Sequence, residues 1–373
     1  MIKMSNWTDI KKLNVFTFFT MTAKFCIDLF LPVVLYKANY SIQAIYLFLL
    51  LTFVLNIIFV LPVSKVGQKV GFKYLIIISL GLFITFYFVV QNIVKNSLYF
   101  ILIAFLSSLS NLLYYISRHN YVGNALDNTK KAKGVGGIMI ATVLASMVAS
   151  FLSSFVFTKV STLMLCITVA IIYLIGIFFI FFIPVSQDKM VKIKEVSQKI
   201  KFNNKLFFLL EQFKYVFLAL YPLYIYVFVD DSIKYLGIVY ILTSIASIIF
   251  IYFYAKLIDK GKVNYLLLSA ILLSITLFVD LYVFNKYIAL IVVFLEGIFI
   301  KLYEVSATSN MYALRRKING TSYYVYMEIL YNISRFIIVF CAYIFGFKLL
   351  TVLYICILFI FLSGFVKLNF EDV

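Results

Sequence analysis

Apolar stretches of about 20 residues, long enough for a helix to cross a bilayer, recur from one end of this chain to the other. The 373 residues are 64% hydrophobic and 13% charged. Charged residues make up about a quarter of a typical soluble domain, so the composition excludes a soluble protein. We therefore expect an all-α integral membrane protein with many spans.

The apolar pattern predicts twelve transmembrane helices in two pseudo-symmetric bundles of six. The longest polar stretch lies in the middle of the chain. The predicted domains are therefore an N-terminal six-helix bundle (1–185), a cytoplasmic linker (186–205) and a C-terminal six-helix bundle (206–373). The predicted spans are 13–35, 42–63, 75–92, 98–117, 135–157, 162–184, 206–229, 236–255, 264–284, 288–309, 322–345 and 349–368.

The basic residues predict the orientation of these spans. If the N terminus is cytoplasmic, most of the 33 Lys and Arg residues fall in cytoplasmic segments. Cytoplasmic loops of membrane proteins carry such an excess, so we expect both termini in the cytoplasm. The same rule accounts for the formal net charge of +18 without a nucleic-acid partner.

Residue usage argues against a metal, a cofactor or ATP hydrolysis. The four cysteines lie within apolar stretches, where cysteine acts as a small hydrophobic residue, and His119 is the single histidine. The chain has no GxxxxGK[ST] phosphate-binding loop, which ATP-driven transport by this chain would require. We expect neither a metal nor a cofactor.

The two halves repeat each other at matching places. "LYYIS" (Leu113–Ser117) ends predicted span 4, and "LYEVS" (Leu302–Ser306) ends predicted span 10. The basic loop after span 2 likewise has a counterpart after span 8. Internal repeats of this kind are typical of transporters that work by alternating access.

With these features the chain resembles the major facilitator superfamily. That family carries a signature G-x-x-x-D-R/K-x-G-R/K-R/K after its second span. Here Lys69 matches the basic position and Gly71 the second glycine, a residue suited to a tight turn, while Gln68 replaces the aspartate. The acid–base pair recurs in the second half as Asp259–Lys260.

The resemblance implies a secondary transporter and not an enzyme. It also implies a central cavity lined by helices 1, 4, 7 and 10, and it makes Lys69, Asp259 and Lys260 candidates for gating the inner ends of the bundles. The alternative for the basic loop residues is that they anchor the loops at the anionic inner leaflet.

Carboxylates inside the spans are candidates for proton coupling, because a charge at the membrane centre costs about 2.5–3.5 kcal/mol. Glu296 has no same-helix partner at ideal spacing and is the first candidate. Asp28 lies four residues after Lys24, so it is either a coupling site or one half of an inert ion pair. Glu304 and Glu328 complete the set.

Basic residues inside the spans are candidates for charge pairing or gating. Lys24 is spaced to pair with Asp28, and Lys301 is spaced to pair with Glu304. Arg335 lies near the middle of span 11, where an arginine needs an acidic partner. Glu328, two turns away on the same helix, is only partly within reach, so Glu296, Glu304 or Asp28 on other helices are the better candidates. We expect such a pair between helices to be structural.

Polar and aromatic side chains on spans 4, 7 and 11 are the candidates for contact with a substrate. Several recur at three- or four-residue spacing and so share one helix face. The alternative for the polar ones is hydrogen bonding between helices. The candidates are Asn111, Tyr114, Tyr115, Tyr221, Tyr224 and Asn332.

These features favour a transporter in the cell membrane that couples a small organic solute to protons. The aromatic-rich sequence favours amphipathic or cationic cargo, and hence efflux by an antiporter. Uptake by proton symport and flipping of a lipid or glycolipid are the alternatives. A membrane glycosyltransferase or polymerase is disfavoured because the outer loops are short. The expected partners are the solute, protons and the bilayer, and the chain is expected to be a monomer.

Overall fold

The computed structural model describes residues 8–92, 96–126, 131–156, 159, 161–183, 192–259, 265–315, 318 and 320–368. This part of the chain contains helices and turns and no strand. A π-helical segment, Leu152–Val156, follows the sixth helix directly. The α-helices are α1 (Asp9–Asp28), α2 (Leu31–Lys37), α3 (Ile42–Val70), α4 (Phe72–Gln91), α5 (Ser97–Leu126), α6 (Lys131–Phe151), α7 (Thr162–Ile180), α8 (Ile193–Lys199), α9 (Phe202–Glu211), α10 (Phe213–Phe228), α11 (Ile233–Asp259), α12 (Tyr265–Asp280), α13 (Lys286–Arg315), α14 (Gly320–Ile344) and α15 (Leu349–Gly364).

Nine helical segments of the described part are long and apolar enough to cross a membrane, which confirms a multi-pass membrane protein. The pairs α1–α2 and α9–α10 each form one of these segments. Three other helices overlap the remaining predicted spans. Helices α12 and α15 are apolar but shorter, and α13 is 30 residues long and contains the charged side chains discussed below.

The loop predicted after span 2 is almost entirely helical. Helix α3 continues through Pro62 to Val70, and α4 begins at Phe72. Gly71 alone separates them, with a φ of +100° that glycine adopts without the steric cost of a side chain. The turn is therefore tighter than the sequence indicated, and the exposed Lys69 lies in the last turn of α3.

Helices α1 and α13 each pack against at least two other helices of their own half. In the first half α1 lies against α6 and α7, while α5 lies against α3 and α4. In the second half α12 lies against α13 and α15. The two halves meet mainly along two helix pairs, α3 with α14 and α6 with α11. The division at residues 186–205 stays a prediction, and the described part of that segment includes the short helix α8.

The first span, Asp9–Lys37, is broken about two thirds of the way along its length. Helix α1 ends at Asp28 and α2 begins at Leu31, with Pro32 in its first turn, where the missing N–H of proline costs no helical hydrogen bond. The carbonyl of Leu29 accepts a hydrogen bond of 3.3 Å from the Tyr240 hydroxyl of α11. The hydrogen bond at the break thus connects the first half to the second.

Candidate functional site

Six polar side chains of the second half form a continuous chain of contacts, which we call the charge chain. Lys214 Nζ lies 2.8 Å from Glu211 Oε1 and 3.3 Å from Glu304 Oε1, and Lys301 Nζ lies 2.5 Å from Glu304 Oε2. The predicted Lys301–Glu304 pair is thus present. Towards the other end, Gln212 Nε2 donates to Glu211, and Arg335 donates to Gln212 Oε1. The charge chain consists of Arg335, Gln212, Glu211, Lys214, Glu304 and Lys301.

The expected acidic partner of Arg335 is not found in the described part of the chain. Its guanidinium donates to the neutral amide oxygen of Gln212, at 3.0 Å from Nε. The guanidinium carbon also lies 4.9 Å from the ring centroid of Tyr215 and 5.8 Å from that of Tyr331. The prediction failed because helices α9 and α10 bring Gln212, and not a carboxylate, beside Arg335.

A second polar cluster lies in the first half, around Lys24. This side chain is 1% exposed, donates to Asn111 Oδ1 and lies 3.9 Å from Asp28 Oδ2. Its ammonium group also faces the rings of Tyr114 and Tyr115, with centroids at 5.2 and 5.7 Å, a favourable arrangement for a cation. The predicted Lys24–Asp28 pair is therefore loose, and the asparagine is the closer partner.

Two buried carboxyl groups lie beside Tyr221 in the second half, and we call them the acidic pair. They are Asp280 of α12 and Glu296 of α13, which are 1% and 2% exposed. The Tyr221 hydroxyl donates to Asp280 Oδ2 at 2.5 Å, and Glu296 lies near enough to interact with both. Asp280 Oδ1 and Glu296 Oε2 are buried without a hydrogen-bond partner in the described part.

Tyr215 of α10 identifies the space between the halves. It is 41% exposed, and its electrostatic neighbours come from both halves: Tyr115 of α5, Tyr312 of α13 and Arg335 of α14. Tyr215 thus lies where residues of the two halves face each other, and we call this region the space between the halves. Tyr115 and Asn111, both predicted to contact the substrate, are partly exposed on the first-half side.

Three of the predicted substrate-contact residues are packed inside their own halves. Tyr114 bonds to Thr20 Oγ1 at 2.7 Å, Tyr221 donates to Asp280, and Tyr224 donates to the Asp280 carbonyl at 3.4 Å. All three are at most 4% exposed. Their rings therefore stabilise each half, and the structure does not place them on the open surface of the space.

Asn332 joins the two halves through amide groups. Its Oδ1 accepts a 3.0 Å hydrogen bond from Asn56 of α3, and Asn56 accepts one of 2.7 Å from Ser108 of α5. The Asn332 amide in turn donates to the Glu328 carbonyl at 2.7 Å. Interhelical amide bonds of this kind hold membrane helices together, so the alternative role of a contact between helices is the one the structure shows for Asn332.

A polar latch between the halves lies where α5 and α13 end and α14 begins. His119 Nδ1 is 3.0 Å from the Tyr312 hydroxyl, and its Nε2 is 3.9 Å from Glu328 Oε1. The Thr321 hydroxyl donates to Asn120 Oδ1 at 2.9 Å. Since α5 belongs to the first half and α13 and α14 to the second, these contacts close this end of the molecule.

Loss of a hydrogen bond of the latch should increase the fraction of molecules in which the two halves are separated at that end. Each hydrogen bond contributes about 1 kcal/mol, equivalent to a roughly fivefold change in an equilibrium. We expect Tyr312→Phe and Thr321→Val each to raise deuterium uptake in the last turns of α5 by about fivefold. Thr52→Val is the matched control, because the Thr52 hydroxyl bonds only to Phe48 of its own helix. Unchanged exchange in both variants would show that these contacts do not hold the end closed.

Several residues of the site were missed from the sequence. Asp280 is the single charged residue of predicted span 9. A lone carboxylate in an apolar span was the sequence signal that could have identified it as a candidate. Glu211 and Lys214 stand three apart within predicted span 7, but neither was selected as a candidate, and Lys214 is 1% exposed. No sequence signal would have brought Gln212 to Arg335. Of the proposed gating residues, Lys260 and the side chain of Asp259 lie outside the described residues.

The sequence was also compared with protein families and with curated proteins. A family model described as the Major Facilitator Superfamily matches residues 13–339, which is most of the chain. No curated protein matches the sequence. The family match agrees with the multi-pass architecture and with the arrangement of polar side chains around a space between two halves.

Proposed function

Because the chain belongs to the major facilitator superfamily and is thus a secondary transporter, we propose that it exchanges a small organic solute for protons across the cell membrane. The proposal includes twelve spans with both ends cytoplasmic, which makes the latch the cytoplasmic gate. The solute binds in the space around Tyr215, and the two halves rock about the helix pairs α3–α14 and α6–α11.

The acidic pair is the observation on which the proposed proton coupling rests. Two ionised carboxylates cannot share a buried site without strong repulsion, and each has one oxygen without a partner. Asp280 and Glu296 therefore hold at least one proton when they are closed off from water. Such a group can release its proton when water reaches it.

Contacts of the acidic pair connect it to the movement of the halves. Glu296 lies near Tyr240 of α11, and Tyr240 donates to the Leu29 carbonyl at the break in the first span. Phe30 packs edge-on against the same ring, with centroids 5.7 Å apart. Separation of the halves at this end breaks the Tyr240 contact and gives water access to Glu296. Exchange of this proton with the outer water is thereby linked to the outward-open state, in which uptake of a proton accompanies release of the solute.

The direction we propose is export. The sides of the space are rich in tyrosine, with Tyr115, Tyr215, Tyr312 and Tyr331 near Arg335 or each other, and a surface of this kind suits an aromatic solute that also partitions into membranes. Exchange of protons for such a solute lets the inward proton gradient drive it out. For the same solute gradient, antiport moves protons in the direction opposite to the solute and symport moves them in the same direction.

A dye assay in proteoliposomes tests both coupling and direction. The purified protein is reconstituted with a pH-sensitive dye inside, and aromatic solutes that are neutral, cationic or anionic are added outside. We expect at least one solute to drive protons out of the vesicles as it enters, which raises the internal pH. Solute entry without proton movement would contradict coupling, and internal acidification would show symport.

A further inference from the structure

The charge chain has one more positive charge than negative charge. Three basic side chains, Arg335, Lys214 and Lys301, share it with two acidic ones, Glu211 and Glu304. Each carboxylate is within 3.3 Å of an ammonium group. The guanidinium of Arg335, at the end of the charge chain, is the group without a carboxylate within 4 Å among the described residues.

Arg335 borders the space between the halves, and Glu328 of the same helix interacts with it electrostatically without forming an ion pair within 4 Å in the described part. Nε and Nη2 both donate to the same Gln212 oxygen, so Nη1 is left without a hydrogen bond in the described part. Arg335 is partly exposed, and the Tyr215 ring beside it is 41% exposed. A charged side chain within a membrane that has no ion-pair partner is costly, and it is a first candidate for a functional site.

A second guanidinium approaches the same space from the first half. Arg118 of α5 donates from Nη2 to Thr142 Oγ1 at 3.3 Å, and its buried Nε has no partner in the described part. It interacts with Tyr115 and Tyr312, and both of these rings also interact with Tyr215. The two arginines are thus connected by a group of tyrosine rings, one arginine from each half.

We propose that the space between the halves binds an organic anion, specifically an aromatic carboxylate. The inference rests on the transporter function proposed above and names the substrate class of that site. A carboxylate matches the fork geometry of a guanidinium, as a phosphate also does. The tyrosine rings supply flat apolar surface for an aromatic body, and the guanidinium N–H groups without a partner in the described part can donate to an anion but not to a cation. This class differs from the cationic cargo favoured by the sequence alone.

Ligand-induced stabilisation of the purified protein in detergent tests the inference without any proton gradient. The probes are benzoate and 2-naphthoate, with benzamide as the neutral analogue and benzylamine as the cationic one. We expect at least one carboxylate to raise the Tm by about 2 °C at about ten times its Kd. Benzamide and benzylamine should leave the Tm unchanged. Equal stabilisation by the amide, stabilisation by the amine, or none by either carboxylate overturns the inference.

Variants of the two arginines locate the binding group. We expect Arg335→Gln to weaken carboxylate binding at least about tenfold, and Arg335→Lys to weaken it less, because lysine keeps the charge but loses the fork. Arg118→Gln should also weaken binding and provides a second test if Arg335→Gln folds poorly. Lys194→Gln is the control, since it removes an exposed charge on α8. Unchanged affinity in both arginine variants overturns the site.

An anionic lipid headgroup can make the same contacts with a guanidinium as a soluble carboxylate. A separate experiment distinguishes these two kinds of ligand. Dihexanoyl phosphatidylglycerol is compared with dihexanoyl phosphatidylcholine, and stabilisation by the former but by neither aromatic carboxylate overturns the proposal of a soluble acid. Failure of carboxylate binding while proton coupling persists refutes the substrate class alone. Carboxylate binding without proton-coupled transport refutes the coupling alone.

Discussion

Glu296→Gln is expected to abolish proton movement during transport while the protein remains folded. Glutamine has the size of glutamate and keeps a hydrogen-bonding group beside Tyr221, but it cannot carry a titratable proton. Solute exchange between two pools at equal pH should continue, because rocking of the halves needs no net proton transfer. The loss should therefore appear as a complete uncoupling in the dye assay, with solute counterflow retained.

The matched control for this variant is Glu195→Gln on α8, where the side chain is exposed. It makes the same chemical change away from the acidic pair and should transport normally. Asp280→Asn should uncouple transport like Glu296→Gln if the two carboxyl groups act as one site. Normal coupling with an unchanged pH profile in Glu296→Gln would show that Glu296 is structural, and Asp28 would become the next candidate.

Lys214→Met should remove most of the folded protein. Lys214 contacts both carboxylates of the charge chain and is 1% exposed, so its loss leaves Glu211 without a cationic partner in the described part. Removal of one partner from a buried ion pair destabilises a protein by about 3–5 kcal/mol. The expected result is a large loss of monodisperse protein after extraction in detergent, together with a lower Tm of what remains.

Two further variants separate charge from packing at Lys214. Lys301→Met should be much milder, because Glu304 keeps its contact with Lys214 and the Lys301 side chain is 19% exposed. Adding Glu211→Gln to Lys214→Met removes the unpaired carboxylate and should restore part of the yield. If the double variant is as poorly folded as Lys214→Met, loss of packing and not an unpaired charge explains the defect.

The sequence predicted contacts within a helix better than contacts between helices. Lys301 and Glu304 are found together because three-residue spacing on a helix already brings two side chains to one face. Arg335 was assigned the wrong kind of partner because that partner depends on how α9 and α10 pack against α14. Asp280 was missed for the same reason, since its importance comes from Glu296 and Tyr221 on two other helices.

Helix ends and the solvent exposure of single charges were also hard to predict. Gly71 was recognised as a turn residue, but apolar patterning could not show that helix continues on both sides of it. Lys214 was not selected as a candidate because a positive charge near the end of a span usually lies at the cytoplasmic surface. Only the positions of Glu211 and Glu304 show that this lysine belongs to the interior.

The break in the first span divides that span into parts with different mechanical roles. The seven residues of α2 are about 10 Å long and pack against α10, with the rings of Tyr36 and Tyr226 6.3 Å apart. The residues that hold Lys24 and Asp28 lie in α1, which is fixed against α6 and α7. The first span is therefore shared between the two halves, because α1 packs within the first half and α2 packs against α10 of the second. Any movement of one half against the other must bend this span at Leu29 and Phe30.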